Sequence, residues 1–140
     1  MDVSKEIYYA GGCFWGVEEY FSRVPGVLDT ISGYANSDIK DPSYEEVCSG
    51  TTGAAEAVRV VYDPAVVTLG ILTRLFFKII DPVSINRQGN DRGSQYRTGI
   101  YYTDGKDRAQ IRPIIAAVQK DHEKPLAVEF MALKSFYPAE

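Results

Sequence analysis

Gly11-Gly12-Cys13-Phe14-Trp15-Gly16 is the stretch on which the reading of this chain turns. The run Lys5-Glu6-Ile7-Tyr8-Tyr9-Ala10 leads into it and predicts a strand. Behind it, Val17, Phe21 and Val24 recur at helical spacing, which predicts a helix over Trp15 to Val24. Cys13 therefore falls where a strand turns into a helix. The first-turn amides of a helix have no intrahelical partner, and its dipole places partial positive charge there. Both favour a thiolate over a thiol, and the thiolate is the nucleophile. Gly11 and Gly12 let the backbone turn with no Cβ in the way. Phe14 and Trp15 set two aromatic surfaces beside the sulfur. The plainer reading is that Cys13 is a small core hydrophobe among aromatics, as free cysteines often are. The strand-turn-helix placement is what lifts the nucleophile reading beside it.

Outward from this stretch, Pro25 and Gly26 end the first helix. Val27 to Ala35 predicts a second strand. Asn36 to Gly53 is polar and unpatterned, and too long for a simple connector, so it is expected to be a functional loop. Ala54 to Tyr62 predicts a third strand, closed by Asp63 and Pro64. Thr68 can cap the next helix, in which Leu69, Leu72, Phe76, Ile79 and Ile80 share a face and Asp81-Pro82 is the stop. Pro82 to Gln95 is a second long irregular segment. Thr98 to Thr103 predicts a short strand and Asp104-Gly105 a turn. Ile111, Ile114, Ile115 and Val118 predict a last helix that Pro113 kinks or starts. Leu126 to Leu133 is the final expected strand, after which Ser135 to Glu140 is expected to trail off. The order β-α-β-β-α-β-α-β points to an α+β two-layer sandwich, a mixed β-sheet with packed helices of ferredoxin-like kind.

The whole chain has 140 residues, a length that suits one domain. With a net charge of −4 and scattered Lys and Arg, it offers no basic patch for nucleic acid. Arg74 and Lys78 interrupt the best apolar run, so no membrane span is expected. The first residues lack the apolar centre of a signal peptide. Two cysteines are no disulfide framework, and with the single His122 they make a poor zinc set, so a reducing cytoplasm with no metal or cofactor is the expectation.

Glu56 is the most informative carboxylate. On a strand it shares a face with Ala54, Val58, Val60 and Tyr62. A carboxylate there is costly unless it is paired or protonated. Desolvation raises its pKa, and a buried neutral acid is a proton donor. The alternative is an edge strand, with Glu56 in water or paired to Arg59. Tyr44 and Cys48 lie in the first long segment, and Asp91 and Tyr96 lie in or beside the second. Two other chemistries stay open. A cysteine hydrolase would need a base near Cys13, for which His122 is the only histidine. A binding module would use Phe14, Trp15, Tyr44 and Tyr96 to cage a methylated ammonium.

Taken together, Gly12-Cys13-Phe14-Trp15-Gly16, Gly33-Tyr34-Ala35, Tyr44 with Val47-Cys48, Gly53, Glu56-Ala57-Val58, Tyr62-Asp63-Pro64, Asn86-Arg87-Gln88-Gly89-Asn90-Asp91, Gln95-Tyr96-Arg97 and Phe136-Tyr137-Pro138-Ala139-Glu140 resemble peptide methionine sulfoxide reductases of the A type. The resemblance runs through nearly the whole chain, and it implies that residues 1–140 are a single catalytic domain. It implies a thiol-dependent reductase acting on the S epimer of methionine sulfoxide, free or in proteins. Carried over by position, Cys13 is the nucleophile and Glu56 the proton donor. Tyr44 and Tyr96 bond the sulfoxide oxygen, Phe14 and Trp15 receive the substrate methyl, and Asp91 supports the site. The family usually has histidine where this chain has Ala54. It also commonly continues beyond residue 140 into a Tyr-His-Gln segment, often followed by recycling cysteines. Within these residues the only second thiol is Cys48, for which a packing role is expected. Recycling is then expected from an external thiol (thioredoxin, glutaredoxin or glutathione), with the protein a monomer.

Overall fold

The computed structural model describes residues 4–50 and 52–139. In chain order the first half holds β1 (Lys5–Gly11), α1 (Phe14–Ser22), β2 (Val27–Ala35), α2 (Tyr44–Cys48) and β3 (Ala55–Tyr62). The second half holds α3 (Leu69–Ile79), β4 (Arg87–Gln88), β5 (Asp91–Arg92), a 3-10 turn (Ser94–Tyr96), β6 (Thr98–Tyr102), α4 (Asp107–Lys120), β7 (Glu129–Ala132) and β8 (Phe136–Pro138). Six strands form one sheet in the order β7-β6-β1-β3-β2-β8. Every pair is antiparallel except β6 and β7, so the sheet is mixed. β4 and β5 form a separate small hairpin.

Strand alternation divides the residues between two faces. Ile7 and Tyr9 of β1, Val58, Val60 and Tyr62 of β3 and Ile100 of β6 join Val17 and Phe21 of α1, Leu72 and Phe76 of α3 and Ile111 of α4 in one core. The Tyr9 ring stacks on Phe21 at 5.1 Å and on Phe76 at 4.8 Å between centroids. Its hydroxyl shares a 2.9 Å hydrogen bond with the Thr73 hydroxyl, which satisfies a polar group buried in that core. The opposite face carries small residues, Ala10, Ala35, Ala55 and Ala57, with Tyr8 and Tyr101. Met131, Leu133 and Phe136 from the end of the chain pack on it.

Three expectations are corrected. The segment from Ser135 does not trail off, because Phe136–Pro138 pairs with Gly33–Ala35 as β8. Glycine at position 33 admits it, since a Cβ there would lie 2.5 Å from the Phe136 ring; Glu140, the last residue of that motif, lies outside the described residues. The first long loop holds a short helix, α2, opened by a capping box between Ser43 and Glu46. Finally, α4 begins at Asp107, well before Pro113, and continues through it. An interior proline lacks one backbone bond and crowds the carbonyl four residues earlier. Burial of Ile111 and Ile114 on either side offsets that cost. Among the described residues no helix is long and apolar enough to cross a membrane.

Candidate active site

One end of the sheet gathers the junction of β1 with α1, the start of β3 and the start of β6. Gly11 pairs with Thr98, and Glu56 pairs with Tyr34. Gly12 makes the turn out of β1 at φ +88°, and a Cβ there would come within 2.8 Å of Gln88 Cβ. Gln88 in turn bonds both the amide and the carbonyl of Asp81, at 2.8 and 2.9 Å, closing the base of the second long segment. Cys13 is the N-cap residue of α1, with no side-chain capping bond and an exposed side chain. The sulfur thus stands at the helix entrance, open to a reactant.

Glu56 is 2% exposed and lies among the core residues of a strand flanked on both sides. The edge-strand alternative therefore does not hold, and Arg59 pairs with Glu6 instead. Glu56 Oε1 accepts the Phe14 N–H at 3.3 Å, and Oε2 accepts from Gln95 Nε2 at 3.3 Å. The buried carboxyl is thus tied to the residue directly after Cys13. Burial pushes its pKa above the ordinary carboxylate range; the Phe14 and Gln95 donors pull it back, the Asp91 charge raises it further, and the Tyr96 hydroxyl lowers it.

Tyr44 opens α2 and is 56% exposed. A hydrogen bond to Cys48, one turn further on, pushes its phenol above the usual value, as do the Cys48 and Tyr96 charges. Burial raises the Tyr96 phenol, and the Glu56 and Asp91 carboxylates add to it. Both hydroxyls therefore stay protonated as donors through the neutral range. Asp91, on β5, faces the site through its field at Glu56 and Tyr96.

Two polar residues here were not singled out from the sequence. Gln95, 6% exposed, donates from Nε2 to Glu56 Oε2 and also to Cys48 Sγ at 3.5 Å. Arg97 holds the carbonyls of Gly53 (2.7 Å), Ala54 (3.2 Å) and Ser94 (2.7 Å) and pairs with Glu129 at 2.7 Å. It fastens the start of β3 to the 3-10 turn, and so Glu56 to Gln95 and Tyr96. Their place in the Gln95-Tyr96-Arg97 motif was the available signal.

A pocket of about 400 Å³ opens beside these groups. Phe14, Trp15, Tyr34, Tyr44, Pro138 and Ala139 give its rings and apolar walls, and Asp41, Pro42 and Ser43 complete it. The Phe14 ring meets Trp15 at 4.8 Å and 65° and Tyr34 at 5.6 Å and 45°. Cys13, Glu56, Asp91 and Tyr96 are not on that wall; the pocket adjoins Cys13 through Phe14 and Trp15. A larger hollow elsewhere, lined by Lys5, Glu6, Arg59, Asp104 and Asp107 among others, holds ion pairs and is lined by no cysteine. His122 follows the end of α4, where its backbone bonds Gln119; among the described residues no hydrogen bond joins its ring to Cys13. An exposed sulfur, a buried acid, two phenol donors and an apolar pocket together suit attack on an electrophilic atom bearing a polar oxygen and a small apolar group.

The family profile described as Peptide methionine sulfoxide reductase matches residues 5–140. A Clostridium botulinum (strain Okra / Type B1) protein named Peptide methionine sulfoxide reductase MsrA is 55% identical over 136 residues, covering 97% of this chain and 87% of that relative. The crystal structure of reduced Mxr1 from Saccharomyces cerevisiae superimposes with a TM-score of 0.92 at 38% identity, covering 98% of this chain and 80% of that one. Mxr1 in complex with Trx2 gives a TM-score of 0.72 at 28% identity, covering 98% and 81%.

Proposed function

Since the chain belongs to the peptide methionine sulfoxide reductase family, we propose that it reduces the S epimer of methionine sulfoxide, free or in proteins, through Cys13 and Glu56. The observation that supports this reading is the 3.3 Å bond from Phe14 N–H to Glu56, which ties the buried acid to the residue after the exposed Cys13. The Cys13 thiolate attacks the sulfoxide sulfur. Charge gathers on the sulfoxide oxygen, where Tyr44 and Tyr96 donate hydrogen bonds and Glu56 gives its proton. The oxygen passes to Cys13 as a sulfenic acid, and methionine leaves. Cys13 sulfur is oxidised by two electrons and the substrate sulfur is reduced by two. Phe14 and Trp15 receive the methyl, so that only one epimer also presents its oxygen to the donors. Asp91 supports the acid through its charge.

An external thiol then condenses with the sulfenic acid, releasing water and leaving a mixed disulfide that a second thiol reduces. Thioredoxin suits this step, because a related protein, yeast Mxr1, forms a complex with Trx2; glutaredoxin and glutathione are the other thiols considered. In this account the chain works as one monomeric catalytic domain in the cytoplasm. Turnover of each methionine sulfoxide epimer with dithiothreitol tests the reading. Reduction of the S epimer, abolished by Cys13→Ser, is expected. Reduction of neither epimer, or turnover that survives Cys13→Ser, refutes it.

A further inference from the structure

We infer that Gln95 is a positioning residue for Glu56, with the Cys48 sulfur as the second anchor that fixes its amide; this rests on the reading of Glu56 as proton donor. A glutamine amide carries two N–H donors on one nitrogen. Both have partners here, Glu56 Oε2 at 3.3 Å and Cys48 Sγ at 3.5 Å, from a side chain 6% exposed. The backbone beneath is held as firmly. Gly93, at φ +132°, opens the 3-10 turn, the Tyr96 N–H bonds the Gly93 carbonyl at 2.9 Å, and Arg97 ties the Ser94 carbonyl to those of Gly53 and Ala54.

The consequence lies at the carboxyl group. Phe14 N–H holds one oxygen and Gln95 holds the other, so the plane of the acid is set at both ends. Without Gln95, Oε2 loses its amide donor, and the carboxyl is left to the Phe14 N–H on Oε1 and the Tyr96 hydroxyl. Donation from Gln95 also offsets part of the effect of burial, so the acid releases its proton more readily. The other titratable groups that act on Glu56 are Asp91 on β5, Tyr96, and Tyr44 on α2, with Cys48 beside the two tyrosines. Of these, the Tyr96 hydroxyl also hydrogen-bonds Glu56, and Gln95 adds a side-chain N–H donor at Oε2.

Gln95→Met keeps the length and removes the donor. The test is the pH profile of kcat and KM for S-methionine sulfoxide with dithiothreitol. Position governs the chemical step, so kcat falls about tenfold while KM stays within about twofold. Glu56 is active when protonated, and losing an N–H donor favours that form; the alkaline limb of the profile therefore moves to higher pH. Cys48→Ala loosens the amide and moves the limb the same way by less. Cys48→Ser, which keeps a polar acceptor, restores it. An alkaline limb unchanged in both Gln95→Met and Cys48→Ala overturns the inference, as does a rise in KM at constant kcat. Should Gln95→Met not fold, the contrast between Cys48→Ala and Cys48→Ser decides alone. If the parent protein reduces neither epimer, the reading of the site fails, an outcome separate from failure of the Gln95 role.

Discussion

Replacing Glu56 with glutamine should stabilise the protein at neutral and alkaline pH while removing most of its activity. Glu56 is 2% exposed, and burial is the first cause of its raised pKa. The folded protein therefore keeps a proton on Glu56 at pH values where the unfolded chain, titrating near 4.3, has released it. In that window the native state binds more protons, so stability falls as pH rises from the unfolded value through the folded one. Each pH unit of separation is worth about 1.4 kcal/mol. Glutamine removes that cost and still accepts the Phe14 N–H through its carbonyl. Its NH2 would then face Gln95 Nε2, so the Gln95 amide must turn over, which the Cys48 thiol tolerates by donating instead of accepting. The net gain is about 1–2 kcal/mol at pH 8 on the scale of a buried polar group, or roughly 3–6 °C in Tm for a chain of this size. At pH 4, where the folded state and most unfolded chains hold the proton, the gain should largely vanish. Over the same series kcat should drop by about ten- to ten-thousandfold, the range for loss of a general acid. The assay is thermal melting of both proteins from pH 4 to 8, with turnover at each pH. A Tm difference that is independent of pH, or a loss of stability at pH 8, would refute the burial argument; unchanged turnover would refute the acid role.

Two other changes test the scaffold. Gly12→Ala puts a side chain at φ +88° and a Cβ 2.8 Å from Gln88; it should cost about 1–3 kcal/mol, read by urea unfolding, and lower kcat by displacing Cys13. Arg97→Lys keeps the charge but cannot span the Gly53, Ala54 and Ser94 carbonyls at once. Hydrogen exchange should quicken in the 3-10 turn and at the start of β3, while α3 keeps wild-type protection.

The long regular elements were readable from pattern. The apolar run Ile7 to Ala10 marked β1 and the patterned run Ala54 to Tyr62 marked β3, and Thr68 capped α3 as its position suggested, accepting the Ile71 N–H at 3.1 Å. The same alternation offered a buried Glu56 but left an edge strand open, and the place of β3 between β1 and β2 is what buries it. The short elements were not readable. A helix of five residues, the two-residue strands of the hairpin and a three-residue edge strand contain too little chain for a period to emerge. Nor does sequence tell which loop amide turns inward, so the Gln95-Tyr96-Arg97 motif did not mark Gln95 as a partner of Glu56. The pocket presents the same difficulty. Its walls come from α1, β2, the first long segment and the end of the chain, and only folding brings Pro138 and Ala139 to Trp15.

The most direct measurement is a single turnover with no reducing thiol present. Protein mixed with each epimer of methionine sulfoxide should form methionine from the S epimer alone, one per chain, with a sulfenic acid trapped on Cys13 by a selective probe. Formation of methionine without modification of Cys13, or an oxidised sulfur found first on Cys48, would contradict the account.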